Sequence, residues 1–202
     1  MKLQVLAMMR SLEVSSQPLY LCGVGHKAAS TPEHETRWLD ETELDAWIPF
    51  SAMLMALLSA LDAQLKRDAG LSLFGYTAMA GLSEAPQRTL AMSELAVLAN
   101  GSLSRLSHAV SNLERRGWVR RSPCPGNARI TLATLTDAGY QKIVATAPGH
   151  VETVRRLVLD SVTPGQLHTL GALAQQILRS LGHPLDRTPS SPATAMASPE
   201  CG

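Results

Sequence analysis

Apolar residues return every three or four positions at Met53, Leu54, Leu57, Leu58, Leu61 and Leu65, and the run halts at Gly70. That spacing predicts an amphipathic helix. Asp40 with Glu43 makes a capping box that opens it, and Pro49 predicts a break or kink within it. A second helix is expected from Ser72 to Ser83, before Ala85-Pro86. A short third runs from Met92 to Ala99 and is capped by Ser93 or its neighbour. Asn100-Gly101 is a turn signal, and a fourth helix follows from Ser102 to Arg116 with Gly117 as its stop. Trp118 to Arg121 can then pair with Ile130 to Leu135 across Pro123 to Asn127, a two-stranded hairpin. Thr136 caps a long helix reaching Asp160. Thr163-Pro164 with Gln166 supplies N-cap, N1 proline and capping-box partner for a last helix ending near Leu181-Gly182.

The chain of 202 residues is one domain with tails: an extension over 1–35 without sustained period, and a Pro/Ser/Ala-rich, disordered tail over 183–202. Aromatics make up only 4% against 45% hydrophobic residues, which favours helices over a β-sandwich. The net charge of +1 hides an asymmetry. From Pro86 to Arg129, seven arginines (88, 105, 115, 116, 120, 121, 129) face two acids, Glu94 and Glu114, so the stretch carries 7 − 2 = +5. A basic patch on a balanced chain suits a polyanion met by one surface. Arg10 and Glu13 interrupt the early apolar run, against a secretory signal, and Phe50 to Leu61 falls short of a bilayer span. Cys22, Cys124 and Cys201 are widely spaced, without CxxC or metal-ligand pairing, and point to a reducing, cytoplasmic setting.

No nucleophile elbow, phosphate loop, HExxH or Cys/His cluster appears, so no enzyme and no cofactor is expected. The fourth helix carries the candidate chemistry. Leu103, Leu106, Ala109, Val110 and Leu113 recur at helical spacing and are expected to pack inward. The other face presents Ser104, Arg105, Ser107, His108, Ser111, Asn112 and Arg115. Short hydroxyls allow close approach to a major groove, and an arginine can bind guanine O6 and N7 together. Ser93 and Ser102, each at a helix start, are candidates for phosphate contacts that set register. Arg105 and His108 reach bases or phosphates on this reading, or else are simply solvated. Arg115 and Arg116 sit where cations also offset a helix dipole.

In order, Met92-Ser93-Glu94-Leu95-Ala96, Leu103-Ser104-Arg105-Leu106, Leu113-Glu114-Arg115-Arg116-Gly117 and Leu135-Thr136-Asp137-Ala138-Gly139 resemble the DNA-binding core of the MarR (multiple-antibiotic-resistance regulator) family. The likeness extends over roughly residues 37–182. It implies a mainly α protein with a small β-hairpin wing, a winged helix-turn-helix. The DNA-binding lobe would span about 72–135, and dimerisation helices about 40–69 and 136–181. It further implies a homodimer whose two recognition helices enter successive major grooves of double-stranded DNA, about 34 Å apart. A pseudo-palindromic operator and, more often than not, repression go with it. The family's wing ends in Asp-x-Arg, whose Arg enters the minor groove. Here the triplet is Asn127-Ala128-Arg129, which retains Arg129 and makes the wing's rigidity an open point.

The family's usual switch is a small-molecule effector between dimer helices and DNA-binding lobe. Trp38, Trp47, Phe50, Phe74 and Tyr76 supply aromatics near such a cleft, or else ordinary core. Cys124 at the wing is a point where oxidation would disturb DNA binding, although redox sensors of the family place their thiol at the start of the first helix. The competing reading is a winged-helix dimerisation module without DNA function, which the basic groove face disfavours.

Overall fold

The computed structural model describes residues 36–182, so the expected extension over 1–35, the tail over 183–202, Cys22 and Cys201 lie outside the described residues. From Glu41 onward the elements are α1 (Glu41–Ala69), α2 (Leu73–Glu84), β1 (Thr89–Ala91), α3 (Met92–Leu98), α4 (Leu103–Arg115), β2 (Val119–Cys124), β3 (Asn127–Leu135), α5 (Asp137–Leu157) and α6 (Pro164–Ser180). Short 3-10 turns precede β1 and α6.

The helix boundaries follow local chemistry. Ser72 and Ser102 accept the backbone N–H groups of Gly75 (3.0 Å) and Arg105 (3.2 Å), which closes the first turns of α2 and α4. Thr136 does the same for Gly139 at the start of α5. At α6 the capping box is reciprocal: Thr163 Oγ1 accepts from Gln166 N, while Gln166 Oε1 accepts from Thr163 N at 2.9 Å. Gly70, with φ +66°, ends α1, and Gly117, with φ +72°, ends the turn after α4.

Several expectations are corrected. The helix runs through Pro49 as one 29-residue element, so of the expected break or kink the break does not occur. The cap of α3 is not Ser93, which lies one residue inside the helix. The Glu94 carboxylate instead accepts the N–H of Ala91 at 3.1 Å. The sheet has three strands in the order β1-β3-β2, so the expected hairpin gains an edge strand. In it Thr89 faces Thr134, Leu90 faces Ala133 and Ala91 faces Leu132. Three residues are too few to show a two-residue period, which is why β1 is invisible in the pattern.

One core holds α2 to α5 together. Leu82, Leu95, Leu106 and Val110 are fully buried in it, with Ala133 of β3 and Ile143 of α5 around them. α1 packs along α5 by a polar contact, where Gln64 Oε1 lies 3.1 Å from His150 Nδ1. Gln64 Nε2 in turn donates to Asp68, and the His150 ring tilts against Tyr76 at 4.6 Å. Burial lowers the His150 pKa from its ordinary value. By contrast α6 buries none of its residues, and Leu167, Leu170, Leu173 and Ile177 remain exposed along it. Trp47, Met53, Leu54, Met55 and Leu58 are likewise exposed on α1. An 18-residue window of α1 reaches a mean hydropathy of 1.6 and is long and apolar enough to cross a bilayer by length and composition. This exceeds the shorter run that ends at Leu61.

Candidate nucleic-acid interface

α4 turns its Leu106, Val110 and Leu113 into the core, which leaves the opposite side to solvent. Ser104, Arg105, His108, Asn112 and Arg115 are exposed there. Leu103 does not pack inward as the spacing suggests. It is 54% exposed and lines a cleft of about 300 Å³ with Ser93, Ser107, Arg121, Arg129, Ile130 and Thr131. That cleft joins the first turns of α3 and α4 to the wing, and so brings together Ser93, Ser107 and Arg129 of the expected set.

The remaining expected residues divide by what their side chains touch. Ser102 is occupied as the α4 cap, and the Ser111 hydroxyl donates to Ser107 O at 2.9 Å. Arg105 leans away from the wing: its guanidinium lies 4.3 Å from the Phe74 ring centre, in a cleft shared with Asp62 and Lys66 of α1. Gly101 makes room for that ring, because a Cβ there would sit 2.6 Å from Phe74 Cε2. Asp62 receives Lys66 Nζ at 2.7 Å and the N–H of Leu73 at 2.8 Å, and these bonds lower its pKa.

Arg121, unremarked in the sequence beyond its charge, ties wing to helix. Its Nε donates to Glu114 Oε2 at 2.8 Å and its Nη2 to Ser111 Oγ at 3.1 Å, while its backbone N–H donates to Glu114 Oε1 at 2.8 Å. These bonds hold the Glu114 carboxyl below the usual carboxylate range. The only acid of α4 is thereby neutralised by the neighbouring strand. The pairing of residues seven apart across Gly117 follows neither a helix nor a strand period, so only the acid's isolation on a basic helix hinted at it.

Much of the basic stretch is spent internally. Arg88 pairs with Asp137 at 3.0 Å and lies over Tyr140; Arg116 donates to Gly70 O at 2.8 Å and lies over Trp118. Arg115, Arg120 and Arg129 are exposed and form no ion pair among the described residues.

The wing turns at Pro125-Gly126, with Gly126 at φ +91°. Asn127 faces Cys124 while Thr131 faces Pro123, so Ala128, Arg129 and Ile130 have no partner on β2. Such a bulge re-aims side chains out of the ladder. Asn127 Oδ1 accepts the N–H of Arg129 at 3.2 Å. The amide oxygen thus supplies an acceptor that a carboxylate would also supply, and the altered triplet keeps a local tie. Cys124 is buried at the end of β2.

No family model and no curated protein matches this chain. Solved structures do. A MarR family transcriptional regulator from Streptomyces coelicolor, Sco3205, solved in complex with DNA, shares 44% identity over 73% of this chain and 92% of its own, with a TM-score of 0.71. AbsC, another MarR family regulator from the same organism, shares 34% identity over 73% and 99% of the two chains, with a TM-score of 0.69. A MarR family regulator from Silicibacter pomeroyi shares 25% over 70% and 96%, with a TM-score of 0.58. With its three-stranded winged helix, its polar α4 face and relatives matched over nearly their whole length, this chain belongs to the MarR family of transcriptional regulators.

Proposed function

We propose that this protein is a homodimeric, sequence-specific DNA-binding regulator, a ligand-responsive repressor acting on a pseudo-palindromic operator in the cytoplasm, and not an enzyme. The observation that carries the DNA-binding reading is the outer side of α4 and the wing. Ser104, His108 and Asn112 stand exposed on the same helix as Arg115, and Arg129 stands on the wing; no acid pairs with either arginine among the described residues. Ser93, Ser107 and Arg129 flank the cleft between them. In this reading α4 enters the major groove with Ser104, Ser107 and His108 toward base edges, and Arg129 reaches the minor groove. Arg105, stacked on Phe74, contacts phosphate at the groove's rim, while Ser102 and Ser111 position the helix. The DNA in the Sco3205 structure supports the choice of ligand.

A second copy of the chain accounts for α1 and α6. A 17-residue helix with no buried residue and leucines at 167, 170 and 173 needs a partner, since isolated helices near that length are marginal in water. A cleft of about 710 Å³ lined by Leu58, Asp62, Lys66, Phe74, Asn100 and Arg105 joins α1 to the start of α4, and supports effector control of the helix.

The test is a fluorescence-anisotropy titration of the full chain on a duplex from its own upstream promoter, across a salt series. Affinity should fall steeply with salt, with Arg129→Ala weakening binding and reducing the salt slope by about one. Sedimentation should give a dimer without detergent. Absence of salt-sensitive binding would favour a dimerisation module without DNA function.

A further inference from the structure

We propose that Leu103 determines specificity by packing against the C5-methyl group of a thymine in each half-site, an inference that rests on the DNA-binding reading above. Leu103 is the first residue of α4 after the Ser102 cap, and the N-terminal residues of a recognition helix are those that meet base edges. Three residues on, Leu106 is fully buried, whereas Leu103 is 54% exposed. Leu103 sits in the first turn, at the N-terminal end of α4. At 100° per residue Leu103 stands 40° from Ser107, and both line the cleft that also holds Ser93 and Arg129.

Its neighbours make this isobutyl group unlike a scattered surface leucine. Ser104 and Ser107 are too short to shield it, and Arg129 brings an unneutralised cation to the same cleft, so a polyanion would close over it. A groove floor offers hydrogen-bonding groups at every base pair and a single apolar group, the thymine methyl. An exposed leucine among hydroxyls therefore matches thymine and rejects cytosine or purine at that position without donating any hydrogen bond. Because Leu103 is more than half exposed and lines an open cleft, trimming it to alanine leaves no closed cavity.

The experiment starts by selecting duplexes from a randomised library with the full-length protein. Each thymine of the selected half-site is then replaced in turn by deoxyuridine, which lacks only the methyl, and affinities are measured for wild type, Leu103→Ala and Leu103→Met. At one position per half-site, uracil should weaken wild type about fourfold, the scale of one methyl taken from water. Leu103→Ala should lose that discrimination while keeping the uracil response elsewhere and its melting temperature. Leu103→Met, which retains apolar reach, should keep it. Uracil responses identical in wild type and Leu103→Ala at every thymine would overturn the proposal while leaving DNA binding intact. A wild-type protein with no salt-sensitive affinity for any duplex would remove the DNA-binding reading and this one together.

Discussion

Arg121→Ala is expected to weaken operator binding about tenfold although Arg121 need touch no DNA. The change deletes the bonds from Nε and Nη2 to Glu114 and from Nη2 to Ser111, and leaves only the backbone bond to Glu114. The two side chains are 33% and 27% exposed, so the pair lies between a surface ion pair, worth about 0.2–1 kcal/mol, and a buried one, where removing a partner costs about 3–5 kcal/mol. About 1 kcal/mol of fold stability should be lost, near 3 °C in melting temperature for a unit of this size. The larger effect is on binding. The wing is no longer held to α4, and an unpaired carboxylate faces a polyanion, together about 1.4 kcal/mol or tenfold. The assay is a double-mutant cycle with Glu114→Ala, read by anisotropy at fixed salt. Removing the carboxylate as well should bring the double variant back to within about threefold of wild type, less than the sum of the two single losses. Strictly additive losses would refute the idea that the two residues act as one unit.

Two further perturbations probe the scaffold. Gly139→Ala should destabilise by about 3 kcal/mol, because its Cβ would press on the Trp118 carbonyl, a backbone atom that cannot swing aside. Gly149→Ala in the same helix meets nothing and should stabilise by about 0.5–1 kcal/mol; equal melting temperatures for the two would disprove the packing account. His150, its pKa lowered by burial, prefers to be neutral in the folded state. The unfolded chain then binds the extra proton first, so stability is complete above the ordinary histidine pKa and declines as pH falls through the folded one. Thermal melts from pH 7.5 to 5 should show this decline in wild type and a flatter profile in His150→Gln; matching profiles would show that another group is responsible.

What the sequence determined by itself is local. Ser72, Ser102, Thr136 and Thr163 open their helices because a side-chain oxygen meets an N–H three residues away, and such short-range partners are legible in order along the chain. The polar face of α4 is legible for the same reason, since a helix converts spacing directly into side. Tertiary structure decided whatever depends on a neighbour distant in sequence. Leu103 lies at the border of the apolar stripe, and only the wing's position shows that this border faces a cleft and not the core. Arg105 turns toward Phe74, 31 positions earlier, in the room left by Gly101. Asn127 departs from the family's aspartate, yet its oxygen still holds the Arg129 N–H. The +5 stretch carried no sign that Arg88 and Arg116 would be engaged by Asp137 and Gly70, and only the isolation of Glu114 hinted at its pairing with Arg121. Charge along a chain counts guanidinium groups; the fold determines which of them remain open to a partner.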